Sequence, residues 1–362
     1  MIRSRSIKYE TEDRYMSVAI KRSIVSWLTL IRLGAAVRGL LPFFLGTVIA
    51  WSAGFVINMP VFLFSSVAVL FIMIATFLIN DYFDYETDAM NNGFHRLSGG
   101  SRILVLDLIP RKQALYAAYF LFSLAGVIGL IIYFGFNTGP WTIPLGAVAI
   151  LIGYFYTAKP FKLAYRGIGE LAILFTCGWL ATILGYYLQT GGITLTVSLV
   201  SIPGSISIFL LILINEIPDM ESDLLSNKRN LAVILGKRKA LFLYSYLLIL
   251  CWLAVLAIIP FEVPWVTGIF SIVLLPIVVL NLIDVKSNPA AKQSFEKLSV
   301  RTMLFDHFIT FIYTIAYIVT GVNAGRMNSR LITILFCYFV VFALEGISLL
   351  LSYGRNIQVS TE

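Results

Sequence analysis

Long runs of apolar residues alternate with short polar segments along almost the whole chain. Ten of these runs approach the roughly 20 residues that an α-helix needs to cross the hydrocarbon core of a bilayer. They lie at 28–52, 59–80, 112–135, 140–157, 166–188, 194–214, 239–259, 264–284, 302–321 and 331–353. The pattern predicts an all-α, polytopic membrane protein, with a tenth helix near the C-terminus.

Composition supports this interpretation. The chain has 362 residues, of which 59% are hydrophobic and only 13% are charged. A soluble domain carries about 25% charged residues, so a membrane location is favoured. The three cysteines, Cys177, Cys251 and Cys337, lie within apolar runs and are expected to be small buried hydrophobes. His95 and His307 are the sole histidines of the chain, which argues against an imidazole metal site.

Lysine and arginine are distributed unevenly between the connecting segments. They are concentrated before the first run and after every second run, whereas four of the alternate loops carry none. The loop before the tenth run, with Arg326 and Arg330, departs from this rule. The four loops without lysine or arginine are 53–58, 136–139, 189–193 and 260–263. By the positive-inside rule, the N-terminus and the long loops are expected in the cytoplasm. We expect a multi-pass protein of a prokaryotic cell membrane. The net charge of +8 reflects this insertion bias, so no nucleic-acid partner is indicated, and no obligate protein partner is evident.

One acidic pattern, Asn-x3-Asp-x3-Asp, occurs twice, each time at the end of an apolar run. The six positions are Asn80, Asp84, Asp88, Asn215, Asp219 and Asp223. Steps of four residues drift by only about 40° on a helix, so each motif is expected to occupy one helix face. The corresponding positions lie 135 residues apart (215 minus 80), which suggests a parallel repeat of four spans.

Carboxylate and amide oxygens grouped in this way suit Mg²⁺, which takes a few carboxylates together with substrate phosphates. Acids at a helix end often merely cap it or face water, but two copies beside basic loops favour a metal–diphosphate site. The expected metal-binding and catalytic residues are Asp84, Asp88, Asp219 and Asp223, oriented by Asn80 and Asn215. Four further acids fall on other helix faces and are expected to support the ligands or to be solvated: Asp81, Glu86, Glu216 and Glu221.

These motifs resemble the UbiA superfamily of intramembrane prenyltransferases. The segment 228–236, Lys-Arg-Asn-Leu-Ala-Val-Ile-Leu-Gly, is part of the same resemblance. The segment 156–170 is similar to a loop of the menaquinone branch, the dihydroxynaphthoate prenyltransferases, and 98–102 looks like a loop in relatives of that branch. Altogether the resemblance covers about residues 28–320.

The resemblance implies nine transmembrane helices around a central cavity, with Mg²⁺ as cofactor. It also implies transfer of a polyprenyl group from polyprenyl diphosphate to an aromatic acceptor, with 1,4-dihydroxy-2-naphthoate in menaquinone biosynthesis preferred. The substrate-binding cations that it suggests are Arg32, Arg38, Arg102, Lys162, Arg166 and Lys228. For the loop cations the alternative is a purely topogenic role, and for Arg32 the alternative is snorkelling. Tyr154 and Tyr156 are candidates for stabilising a carbocation through their rings, or for anchoring at the interface.

Three regions follow: a cytoplasmic N-terminal segment at 1–27, a prenyltransferase membrane domain at 28–321, and an extra transmembrane helix with a tail at 322–362. Glu345, inside the extra helix, is expected to be paired rather than catalytic. Two alternatives stay open. In the first, the protein is a prenyltransferase with another acceptor, a hydroxybenzoate-like acid or a glycerol-phosphate ether lipid. In the second, it is a cation-coupled transporter.

Overall fold

The computed structural model describes residues 23–91, 100–287 and 292–359. Most of the N-terminal segment 1–27, Ser98 and Gly99 of the predicted 98–102 loop, and His95 lie outside these residues. The described chain is all α-helical, with short connections.

Fourteen helices follow one another in the described ranges. They are α1 (23–30), α2 (Leu33–Ser52), α3 (Met59–Phe83), α4 (Tyr85–Met90), α5 (Arg111–Phe136), α6 (Thr142–Phe155), α7 (Gly169–Thr190), α8 (Leu195–Glu216), α9 (Met220–Leu225), α10 (Leu231–Leu235), α11 (Lys237–Ala257), α12 (Val266–Lys286), α13 (Lys292–Asn323) and α14 (Ser329–Val359).

Nine helices in the described residues are long and apolar enough to cross a bilayer: α2, α3, α5, α7, α8, α11, α12, α13 and the Ser329–Ile347 part of α14. All ten predicted runs are helical, including the one near the C-terminus. The fourth run, α6, has 14 residues, which at 1.5 Å per residue is about 21 Å and less than a full hydrocarbon core. The predicted all-α membrane fold is confirmed.

Two predicted spans have different limits in the structure. The first is interrupted at Ile31 and Arg32, where Arg32 adopts a left-handed backbone with a φ of 48°. The ninth, α13, begins ten residues earlier than the predicted 302. Phe295, Leu298 and Ser299 are buried there, so an amphipathic face extends the helix beyond its apolar segment.

The helix contacts follow the predicted repeat. Each motif-bearing helix packs along the next long helix, α3 on α5 and α8 on α11, and α2 packs along α7. Gly185 of α7 lies so close to the Phe43 carbonyl of α2 that no side chain would fit between them. Small residues allow such close backbone approach between membrane helices. The extra helix α14 packs against α2.

Candidate active site

A large cavity of about 2080 Å³ opens among the helices. Apolar residues of α2, α3, α5, α6, α7 and α8 form most of its wall, and polar residues gather where α3 and α8 end. Ordinary small-molecule pockets measure about 300–1,000 Å³. The space is therefore sufficient for a long apolar chain together with a second molecule.

The helix breaks in the middle of both acidic motifs. Helix α3 ends at Phe83 and α4 starts at Tyr85, with Asp84 between them at a φ of −88°. Helix α8 likewise ends at Glu216 and α9 starts at Met220, after Asp219 at a φ of −90°. The prediction that each motif occupies one face of a continuous helix is therefore wrong.

The break nevertheless brings the two motifs together. Helices α4 and α9 pack against each other. All six motif side chains line the cavity: Asn80, Asp84, Asp88, Asn215, Asp219 and Asp223. The third residues of the two motifs, Asp88 and Asp223, lie on the short helices that follow the breaks and line the polar end of the cavity.

Lys228 joins the two motifs. Its ammonium group donates to Asp84 Oδ2 at 3.2 Å and lies 3.6 Å from Asp223 Oδ1. The Tyr165 hydroxyl donates to Asp84 Oδ1 at 2.7 Å, and the Asn230 amide donates to Asp223 Oδ2 at 2.6 Å. The segment after α9 thus supplies a cation and an amide that hold carboxylates of both motifs in place.

The loop at 100–109 covers the first motif. Asp81 accepts from Arg32 and from the Ser101 hydroxyl, while Arg102 donates to the backbone carbonyls of Asp88 and, at 3.2 Å, Asn91. Gly100, at a φ of +72°, lies against the Asp88 carboxylate, where a Cβ atom would collide with it. Glycine is required there for the backbone conformation and for the close approach.

Burial and crowding alter the acidity of the carboxyl groups. Burial, reinforced by the charges of Asp81 and Asp84, raises the pKa of Asp88 to about 8. Burial also raises the pKa of Asp223 to about 6, with Lys228 opposing the increase and Asp219 adding to it. Burial alone would lower the pKa of Lys228, but Asp84 and Asp223 raise it well above its usual value. The site is therefore a concentration of negative charge that one lysine offsets only in part.

The donor set fits Mg²⁺ with a diphosphate. In the described part of the chain, the buried oxygens Asn80 Oδ1, Asn215 Oδ1 and Glu216 Oε2 have no hydrogen-bond partner. No group of three or more His, Cys, Asp or Glu side chains among these residues is arranged to hold a metal ion by itself. Mg²⁺ commonly takes one or two carboxylates together with waters and substrate phosphates, so an incomplete protein shell is the expected arrangement.

The structure places some of the predicted substrate-binding residues at the cavity and others away from it. Cavity-lining residues include Arg32, Arg38, Arg102, Tyr156 and Lys228. Lys162 instead lies over the Tyr165 ring at 4.2 Å, Arg166 donates to the Pro160 carbonyl at 3.0 Å, and the Tyr154 hydroxyl is 3.4 Å from that of Tyr119. None of these last three is among the residues that line the cavity. A topogenic role for Lys162 and Arg166, and interfacial anchoring for Tyr154, are the alternatives that need no contact with a substrate.

Further residues contribute to the site. Glu216 lines the cavity, and Asp81 is buried and paired with Arg32, which fits the supporting role expected for it rather than the solvated one. Asn91 donates to Asp219 at 2.9 Å. The carboxylate of Glu170 accepts from the Leu231 backbone at 2.6 Å. The motif spacing could not predict the contacts of Asn91 and Glu170, because their partners lie 128 and 61 residues away in the sequence.

Comparisons with known proteins agree with this geometry. Over 240 residues the chain is 29% identical to 1,4-dihydroxy-2-naphthoate octaprenyltransferase of Bacillus subtilis, covering 65% of this chain and 75% of the relative. It is also 29% identical to digeranylgeranylglyceryl phosphate synthase of Methanobrevibacter smithii, covering 62% and 75%.

The structure resembles a UbiA homolog from Archaeoglobus fulgidus bound to GPP and Mg²⁺, with a TM-score of 0.56 and 17% identity. That match covers 80% of this chain and 99% of the other. At this identity the likeness establishes the fold. Residues 39–305 match the UbiA prenyltransferase family. This match covers most of the chain and sets the transporter alternative aside. The protein is an integral, multi-pass membrane prenyltransferase, and the chain belongs to the UbiA prenyltransferase family.

Proposed function

We propose that this protein transfers a polyprenyl group from polyprenyl diphosphate to an aromatic acid in an Mg²⁺-dependent reaction, with 1,4-dihydroxy-2-naphthoate as the preferred acceptor. The observation that carries the proposal is the meeting of two acidic motifs at the polar end of one apolar cavity. The diphosphate would lie between the motifs, and the apolar wall would take the prenyl chain.

The proposed metal-binding residues are Asp84, Asp88, Asp219 and Asp223, with Asn80 and Asn215 orienting the diphosphate or its waters. Mg²⁺ bound there supplies charge neutralisation for the departing diphosphate. Lys228, held between Asp84 and Asp223, is placed to contact the same anion. Arg32 binds Asp81 and Arg102 binds the Asp88 carbonyl, so these two cations hold the first motif in place.

The reaction breaks the bond between C1 of the prenyl group and the diphosphate oxygen. The allylic cation then forms a carbon–carbon bond with a ring carbon of the acceptor, which loses a proton, or its carboxylate as CO₂ in the naphthoate case. Water would capture the cation, so the site must exclude water. The apolar wall of the cavity serves that purpose, and the Tyr156 ring, which lines the cavity, is placed to stabilise a cation.

The relatives support prenyl transfer but do not agree on the acceptor. The Bacillus subtilis relative is named for a naphthoate acceptor, and the Methanobrevibacter smithii relative for a glyceryl phosphate product. We prefer the naphthoate because the loop at 156–170 resembles that of the menaquinone branch. A glycerol-phosphate ether lipid is the second candidate.

We also propose that the acidic ends of α3 and α8 face the cytoplasm of a prokaryotic cell. The supporting observation is that lysine and arginine are concentrated in the loops at the acidic end and absent from 53–58, 136–139, 189–193 and 260–263. Arg326 and Arg330, at the connection between α13 and α14, are the exception on the other side. Soluble acceptors and diphosphates made in the cytoplasm would then reach the polar end of the cavity directly.

The test is a prenylation assay on the purified protein in detergent. A polyprenyl diphosphate is offered with 1,4-dihydroxy-2-naphthoate, 4-hydroxybenzoate or a glycerol-phosphate ether lipid, each with Mg²⁺ or with EDTA. We expect prenylated naphthoate by mass spectrometry, together with diphosphate release, in the Mg²⁺ samples alone.

Two outcomes contradict the proposal in different ways. Prenylation of another acceptor with undiminished Mg²⁺ dependence would overturn the named substrate and leave the metal chemistry in place. Full activity in EDTA would overturn the metal assignment.

A further inference from the structure

A second polar cluster lies in the apolar part of the cavity wall. Arg38 of α2 donates through Nε to Glu345 Oε1 of α14 at 2.8 Å, and His307 Nε2 of α13 is 2.6 Å from Glu345 Oε2. Asp306 of α13 accepts from the Ser207 hydroxyl of α8 through Oδ1. Arg38, Asp306 and Glu345 all line the same cavity as the acidic motifs.

This cluster is separate from the acidic motifs and deeper in the bundle. Ser207, which binds Asp306, precedes Asn215 by eight residues on α8, or about 12 Å along the helix. The family match ends at residue 305, so Asp306, His307 and Glu345 lie beyond it. The prediction that Glu345 would be paired agrees with its two contacts.

Charged side chains inside a membrane are costly and generally serve a polar ligand or one another. Here the pairing is incomplete. Arg38 binds Glu345 through Nε. Among the described residues, no hydrogen bond reaches the two terminal nitrogens of Arg38 or the second carboxylate oxygen of Asp306. The cluster thus offers both donors and an acceptor to the cavity.

The chemistry of the cluster limits what it can bind. A prenyl chain has no polar atoms and could not use it. A carboxylate would face the Asp306 carboxylate, and it would compete with Glu345 for Arg38. A neutral hydroxyl group fits better, because it can donate to Asp306 and accept from Arg38 at the same time.

We propose that this cluster binds a hydroxyl group on the edge of the acceptor that points away from the diphosphate. The proposal rests on prenyl transfer to a hydroxylated acceptor as the function. A ring whose reacting carbon meets the prenyl C1 near the motifs extends toward Asp306, in the direction that the 12 Å offset of Ser207 along α8 indicates. Glu345 and His307 act as positioning residues that fix the Arg38 guanidinium in the wall.

The alternative is that the cluster only stabilises the packing of α13 and α14 against the rest of the bundle. The two roles differ in what they do to the two substrates. Loss of a fastening impairs folding or both substrates together, whereas loss of an acceptor contact raises KM for the acceptor alone.

The experiment compares wild type, Asp306→Asn and Asp306→Ala, with Asp284→Asn as the matched control. Asp284 of α12 pairs with Arg301 of α13 and is not among the cavity-lining residues. KM is measured for polyprenyl diphosphate and for 1,4-dihydroxy-2-naphthoate, and thermal unfolding in detergent checks the fold. We expect Asp306→Ala to raise the acceptor KM about tenfold or more, Asp306→Asn to raise it less, and the diphosphate KM to stay within twofold.

The two monomethyl ethers of the naphthoate give the decisive comparison. Wild type should bind one ether at least tenfold more weakly than the parent acceptor, and Asp306→Ala should not distinguish that ether from the parent. If Asp306→Ala retains the full preference, or raises both KM values equally, the proposal is overturned.

Failure of the proposed function looks different in the same assay. Wild type that prenylates another hydroxylated aromatic acceptor overturns the naphthoate assignment, and the hydroxyl-to-methoxy comparison on that acceptor still decides the role of Asp306. Prenylation of the glycerol-phosphate ether lipid alone, whose hydroxyl is the attacking group, overturns both proposals. If wild type prenylates only an acceptor without a hydroxyl group, the proposed function and the role of Asp306 are both overturned.

Discussion

At the scale of single residues, Lys228 is the contact that links the two halves of the site. It lies within 3.6 Å of carboxylates from both motifs, and its side chain is largely buried. Removing the cation would leave buried like charges without compensation, which is strongly unfavourable. The lysine thus keeps the acidic groups close together before any metal or substrate binds.

Replacing Lys228 with methionine should therefore weaken binding of the prenyl diphosphate. We expect its KM to rise about tenfold or more, because one charge-assisted contact contributes roughly 1.5–3 kcal/mol. Steady-state kinetics on Lys228→Met and on Lys239→Met, an exposed lysine of α11, measure this. Equal KM values in the two variants would contradict the role of Lys228.

The acidity of the motif residues predicts how Mg²⁺ binding responds to pH. The pKa of Asp223 is about 6 and that of Asp88 about 8, both raised above the usual value. Protons compete with the metal below these values, because a carboxyl group must lose its proton to become a ligand. The apparent affinity for Mg²⁺ should thus rise as pH increases from 6 to 8.

The measurement is the Mg²⁺ concentration that gives half-maximal prenyl transfer at pH 6, 7 and 8. It should fall by about tenfold or more over this range, after correction for Mg²⁺ bound by free diphosphate. The Glu86→Gln variant, which alters an exposed acid of α4, should follow the wild-type profile. A flat profile would show that these carboxyl groups are not the ligands.

At the scale of elements, the sequence predicted which segments are helical, but the motif spacing did not predict where helices break. The apolar runs supplied the helices, because burial in lipid requires about 20 apolar residues. The second break contains Pro218, a residue that ends helices, so the sequence does mark it. No such residue marks the break at Asp84, which only continues the four-residue spacing. The 100–109 loop supports Asp81 and Asp88 through contacts that the motif spacing cannot reveal.

Gly100 tests the importance of this loop. Gly100→Ala should lower activity at least tenfold, because the added methyl group displaces the Asp88 carboxylate and also strains a left-handed backbone by about 1–2 kcal/mol. Gly191→Ala is the matched control. Gly191 has a φ of +73°, close to that of Gly100, but its missing Cβ would meet nothing within 4 Å.

Activity and thermal unfolding of the two variants separate strain from displacement. Both should lose some stability, and Gly100→Ala alone should lose turnover. Similar activities in the two would indicate that the loop does not position Asp88.

At the scale of the whole molecule, the predicted repeat and the observed cavity agree. Motifs 135 residues apart in the chain face each other across one space, since the helices that carry them occupy corresponding places in two packed halves. Composition and charge asymmetry were sufficient to predict the membrane fold. The deeper cluster around Asp306 and Glu345 was not foreseen as a unit, because it joins four helices that are distant in sequence.

The proposed orientation has a direct test at the two ends of α8. Exposed Gly192 precedes α8 and exposed Glu221 follows it. A membrane-impermeant maleimide applied to intact cells should label Gly192→Cys, and should label Glu221→Cys only after the membrane is permeabilised. The reverse labelling would place the acidic motifs outside the cell.

The central claim is that both acidic motifs bind one diphosphate through Mg²⁺, and calorimetric titration with a prenyl diphosphate tests it most directly. Wild type should bind tightly with Mg²⁺ and weakly in EDTA. Asp84→Asn and Asp219→Asn should each lose about 10²-fold of the Mg²⁺-dependent affinity. Glu86→Gln and Glu221→Gln, exposed acids of the same short helices, should bind like wild type. Mg²⁺-dependent binding of wild-type strength in either aspartate variant would contradict the account.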